Sequence, residues 1–134
     1  MEKVIIIPEY IYEQIITEGN KRLPYEACGL LAGNKNQVHS FWPLNNHLQS
    51  SRRFFVPKEE VRAAERQIIN KKEQVLAVFH THPSTKAVPS YYDLQNHPTV
   101  DVAMVIVSFK HDDPVMKWYA VRHNDYHEVK WSIV

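Results

Sequence analysis

The chain has 134 residues, and its composition is that of one ordinary globular domain spanning 1–134, large enough to bury roughly two thirds of its unfolded surface. A formal net charge of +1 gives no reason to expect nucleic acid or an anionic membrane as the principal partner, and the longest apolar runs, Val4 to Ile7 and Val102 to Val107, are far too short to span a bilayer. The lone Cys28 cannot form an intramolecular disulfide, and Met1-Glu2-Lys3 leads into a strand-like segment without signal-peptide architecture, so a cytoplasmic protein is expected.

Val4 to Ile7 is β-branched and apolar, which predicts a buried strand ended by Pro8. From Glu9 to about Lys21, Ile11, Ile15 and Ile16 recur at helical spacing, with Gly19-Asn20 near the expected stop. Leu23-Pro24-Tyr25 is a linker, and Glu26 to Gly33 opens polar and turns apolar, as a strand entering the core does. Asn34-Lys35-Asn36 predicts a hairpin turn into Gln37 to Trp42. Pro43 to Ser51 has no periodicity and reads as a loop, and Arg53 to Val56 resembles a short strand. A helix is expected from Pro57, with Val61, Ala64, Ile68 and Ile69 as the apolar stripe and Lys71-Lys72 at its cationic end. It delivers the chain to a strand at Val75 to Phe79. After Pro89 a short helix closes at Pro98, Thr99 to Val107 predicts a strand covered on both faces, and Val115 to Arg122 with Tyr126 to Ile133 forms a hairpin about His123-Asn124-Asp125.

The chemistry gathers at His80 to Asp93. His80 and His82 are two apart at the end of an apolar strand, so both imidazoles face one point, and Pro83 keeps His82 out of the helical region. With Asp93 after a short loop, two imidazoles and a carboxylate make a three-ligand set suited to catalytic zinc, the fourth position being left for water. A bland reading competes: two satisfied histidines at a strand end, and Ser90-x-x-Asp93 as a capping box. Zinc-activated water also needs a general base, for which Glu26 is the candidate, against its reading as a solvated residue at a strand start. Cys28 reads as a buried inert thiol. His39, His47, His97, His111, His123 and His127 have no ligand spacing.

Glu26-Ala27-Cys28-Gly29-Leu30-Leu31-Ala32-Gly33, then His80-Thr81-His82-Pro83, then Pro89-Ser90-Tyr91-Tyr92-Asp93, resembles the JAMM (MPN-plus) metalloprotease pattern of Glu, His-x-His-Pro and Pro-Ser-x-x-Asp. Thr81 stands where many members carry serine, a departure at a non-ligand position. The resemblance implies an α/β (α+β) fold, a mixed, mostly antiparallel sheet flanked by helices, similar to MPN domains and cytidine deaminases. Base deamination itself is not expected, because the chain lacks both His-x-Glu and Cys-x-x-Cys. The resemblance further implies that His80, His82 and Asp93 bind Zn2+, that Glu26 deprotonates the catalytic water, and that Ser90 steadies the oxyanion. The implied substrate is the bond after the C-terminal Gly-Gly tail of a ubiquitin-like or sulfur-carrier protein, with the segment from Pro43 to Val56 as part of its groove. The short connections around the motif resemble compact prokaryotic members. Two other readings stay open, a noncatalytic module that binds ubiquitin-like proteins and a structural zinc protein.

Overall fold

The structure, a computed structural model, describes residues 3–134; Met1 and Glu2, on which the absence of a leader was partly read, lie outside the described residues. In chain order the elements are β1 (Ile5–Ile7), α1 (Glu9–Arg22), β2 (Cys28–Asn34), β3 (Gln37–Leu44), α2 (Lys58–Asn70), β4 (Gln74–His82), α3 (Tyr91–Asn96), β5 (Ala103–Ser108), β6 (Val115–Arg122), β7 (Asp125–Val129) and β8 (Trp131–Ile133). The strands form one sheet in the order β7-β6-β5-β4-β2-β3-β1-β8. Four of its pairings are antiparallel and three parallel, so the mixed, mostly antiparallel sheet expected from the sequence is present. Among the described residues no helix is long and apolar enough to cross a membrane.

The two outermost strands, β7 and β8, are consecutive in the chain and separated only by Lys130. The sheet is therefore rolled until its edges nearly meet, and Ile5 N bonds Lys130 O across the join at 2.9 Å. This corrects the expected C-terminal hairpin, whose second strand breaks at Lys130. Val129 stays beside Trp118 of β6, while Trp131 to Ile133 pair in parallel with β1 on the far edge. Inside the roll lies α1, with Ile11 and Ile15 fully buried against Leu31, Phe79, Val107 and Trp118. The helix runs from Glu9 through Gly19 to Arg22, within one residue of the expected span. A Cβ at Gly19 would come within 2.6 Å of the Phe109 ring, so this glycine serves close packing rather than termination.

On the outer face α2 packs Ala64 and Ile68 over Leu30 and Ala32, and Leu94 of α3 covers a second cluster around Met104, Ile106 and Tyr119. Three further expectations are corrected. Ile69 points to solvent at 67% exposure, and Val61 is only half-buried, because a helix this short presents one narrow stripe to the sheet. Thr99 to Val102 form a turn, and β5 starts at Ala103. Arg53 to Val56 is not a strand. The Phe55 N–H donates to Asn46 Oδ1 at 3.1 Å and the Arg53 carbonyl accepts from Asn46 Nδ2 at 3.0 Å, so a side chain takes the place of a ladder.

Candidate metal centre

β4 continues past Phe79 through both histidines, between β2 and β5, where His80 aligns with Cys28 and Ile106. Opposed residues of an antiparallel pair share a face, and extending the register by two places Glu26 across from His82. Thr81, between the histidines, accepts the Ala27 N–H on its Oγ1 at 2.8 Å and donates its own N–H to Ala27 O at 3.0 Å. The loop after His82 is held at several points: Ser108 Oγ donates to Thr85 O, Tyr119 Oη to Ala87 O, and Ala87 is buried. It hands the chain to α3, where Ser90 and Asp93 form a complete capping box, Ser90 N donating to Asp93 Oδ2 at 2.9 Å and Asp93 N to Ser90 Oγ at 3.0 Å.

His80, His82 and Asp93 converge as a buried group whose ligand atoms all lie within 4.8 Å of one another. Asp93 Oδ2 is 3.1 Å from His80 Nε2 and 3.0 Å from His82 Nε2, and the two Nε2 atoms are 3.2 Å apart. Tetrahedral zinc with bonds of about 2.0–2.1 Å would set its ligand atoms about 3.3 Å apart, so the spacing is close to what such an ion needs. His82 Nδ1 lies 2.7 Å from Lys86 O, which can only accept; Nδ1 therefore carries a hydrogen, and Nε2 is the ring nitrogen left to face Asp93 Oδ2 or a metal ion.

The electrostatics separate the two carboxyls. Burial pushes Asp93 up, but the imidazoles of His80 and His82 and the Ser90 amide outweigh it and hold the group well below the usual carboxylate range. Burial, opposed by Asp93, lowers His80 and favours the neutral imidazole that a metal requires. Glu26, 2% exposed, is pushed up to about 9 by burial and then by the Asp93 charge. Carboxyls driven in opposite directions are the mark of an acid-base division of labour. Of the four buried side-chain N or O atoms without a hydrogen-bond partner among the described residues, three are Glu26 Oε1, His80 Nδ1 and Asp93 Oδ1. Buried polar atoms without partners are costly, and three of the four belong to residues of this one site. The donor set fits zinc with one open position, since neither Glu26 nor Cys28 belongs to the converging group.

Cys28 is buried, its Sγ 3.7 Å from Leu44 O and its pKa pushed up to about 12 by burial and the Glu26 carboxyl, which fits the inert reading. His47 pairs with Glu60 at 2.7 Å, His97 Nε2 meets Val102 O at 2.8 Å, and His39, His111, His123 and His127 are exposed. Two residues to which the sequence assigned no individual site role border the site: Phe54 stacks on the His80 ring at 5.1 Å and 25°, and Arg53 lies 4.8 Å over the Tyr92 ring. Both lie in the segment from Pro43 to Val56 expected to form part of the groove, and nothing in its composition identifies the stacking residue.

Residues 8–121 match the family described as prokaryotic homologues of the JAB domain. A desampylase from Pyrococcus furiosus is 29% identical over 126 residues, covering 94% of this chain and 88% of that protein. The solution structure of a Desulfitobacterium hafniense protein superposes with a TM-score of 0.89 at 27% identity, over 98% of this chain and 93% of the other. A JAB1/MPN domain protein from Archaeoglobus fulgidus shares the fold, with a TM-score of 0.64 at 20% identity over 98% and 99% of the two chains.

Proposed function

The chain belongs to the family of prokaryotic homologues of the JAB domain, and from that premise and the site's geometry we propose that it is a zinc-dependent metallopeptidase acting in the cytoplasm on the bond after the C-terminal Gly-Gly tail of a ubiquitin-like or sulfur-carrier protein. The observation that carries this reading is the buried convergence of His80, His82 and Asp93 on the same face as a Glu26 carboxyl that holds its proton to about pH 9 without metal. His80 Nε2, His82 Nε2 and Asp93 Oδ2 would hold the ion. When bound, zinc supplies a Lewis acid for the scissile carbonyl and lowers the pKa of water to about 7. Glu26 takes the proton from the attacking water and delivers it to the leaving amine. Ser90 Oγ accepts the Asp93 amide hydrogen, which leaves its own hydroxyl hydrogen to donate to the oxyanion that develops on the substrate. Lys86 O fixes the tautomer of His82.

The substrate class is supported by the desampylase relative, whose name denotes removal of a small ubiquitin-like modifier. The segment from Pro43 to Val56 flanks Glu26 and His80 and fits one wall of the tail's path. A structural zinc site would need a fourth protein ligand, which the converging group lacks among the described residues. A purely binding module would have no use for a carboxyl driven to about 9 beside the ligands.

The test is metal content and peptidase activity on one preparation, with a ubiquitin-like protein extended beyond its Gly-Gly end as substrate. We expect one zinc per chain and cleavage directly after the second glycine, with Glu26→Gln retaining zinc and losing at least about 100-fold in kcat. Zinc without cleavage across several such carriers would favour the binding module, and a chain that takes up no metal would refute the site.

A further inference from the structure

Glu26 lies just outside the sheet, since β2 begins at Cys28 and the neighbouring Ala27 is the last residue tied to β4, through Thr81. Both backbone polar groups of Glu26 are instead bound by the segment 46–55: its N–H donates to Ser50 O at 2.8 Å, and its carbonyl accepts from Asn46 Nδ2 at 3.1 Å. Asn46 uses its whole hydrogen-bonding capacity there. The second Nδ2 hydrogen goes to Arg53 O at 3.0 Å, and Oδ1 accepts from Leu48 N at 3.0 Å and Phe55 N at 3.1 Å. A loop asparagine commonly makes only the local bond two residues on; the other three reach across the loop and out of it. The segment is also closed by His47 N to Phe55 O at 2.9 Å. It lays Phe54 on the His80 ring, and Phe54 O accepts from Tyr92 Oη at 3.5 Å, beside Asp93.

We propose that Asn46 is a positioning residue for proton transfer: its amide locks the 46–55 segment into a strap that holds Glu26 in place across from His82 and near Asp93. The proposal rests on the reading of Glu26 as the proton carrier. The proposed ligands themselves sit on β4 and α3, outside the strap.

The test compares wild type with Asn46→Ala and Asn46→Asp. Aspartate keeps an acceptor for Leu48 N and Phe55 N but removes both donated bonds, including the one to Glu26 O. Three quantities are measured: zinc per chain, kcat and KM on the diglycine-extended carrier, and amide exchange by NMR in the zinc-loaded and stripped protein. Both variants should retain zinc, with KM within about threefold and kcat down at least about tenfold, the scale of effect that small misplacement of a reacting group produces. The Glu26 amide should exchange at least about tenfold faster, while Ala27, anchored on Thr81 Oγ1, stays protected. Unchanged protection at Glu26, unchanged kcat, or a loss of activity matched by loss of zinc would each overturn the proposal. Should Asn46→Ala not fold, Asn46→Asp carries the same outcomes. A wild-type protein inactive on every carrier would remove the catalytic reading of Glu26 while the exchange measurements still decide whether Asn46 holds it.

Discussion

Asp93 serves two masters through one oxygen. Its Oδ2 closes the capping box on Ser90 N at 2.9 Å and faces both imidazoles, while Oδ1 has no partner. The capping box that the sequence suggested is realised, and it fixes the carboxylate at the first turn of α3 facing both histidines, so the cap does not compete with the proposed ligand role. Glu26 shows the stability cost of a buried carboxyl. In metal-free protein its folded pKa of about 9 lies above the ordinary value of 4.5, so its contribution to stability is fully present below about pH 4.5 and is lost as pH rises toward 9. In the presence of a chelator, urea unfolding of wild type should therefore weaken from pH 5 to 9 relative to Glu26→Gln, the variant gaining about 1–3 kcal/mol by pH 8. Parallel curves for the two proteins would show that Glu26 is not held protonated by its surroundings.

Among the elements, α2 ends in a complete Schellman motif: Lys72 N bonds Ile69 O at 2.8 Å and Glu73 N bonds Ile68 O at 3.1 Å. The position that such a motif reserves for glycine holds Lys72 at φ 62°. Lys72→Gly should accordingly raise stability by about 0.5–1 kcal/mol in chemical denaturation, leaving zinc content unaltered. A destabilised variant would mean that the Lys72 side chain contributes more than its backbone strain costs. The helix end was legible in advance from the cationic pair, which marks a C-terminus; its left-handed residue was not, because lysine carries no signal for that conformation. The strap at 46–55 illustrates the same limit. A polar, aperiodic stretch announces a loop, whereas Asn46 bonds residues as far away as Glu26, and no local pattern encodes that.

For the molecule as a whole, stability depends on closing the roll. Trp131 on β8 stacks on Tyr12 of α1 with centroids 6.0 Å apart, at the seam between the two sheet edges. Trp131→Ala should cost about 2–4 kcal/mol in the denaturation midpoint, and amide exchange in β1 should speed up, since β8 covers its edge. Protection in β1 equal to wild type would show that the seam closes without that ring. The sequence by itself determined the helices from their 3.6-residue apolar period and the central strands from their β-branched runs, and its motif singled out His80, His82 and Asp93, which the fold brings together. Those signals are local, because a residue's face and cap follow from its near neighbours. Only the tertiary structure decided that the last strand splits at Lys130 and crosses to the opposite edge, that Gly19 makes room for Phe109, and that Asn46 holds Glu26. Each of these joins residues distant in the chain, and the free energy that selects them comes from closing the sheet around α1, a term that no short window of sequence contains.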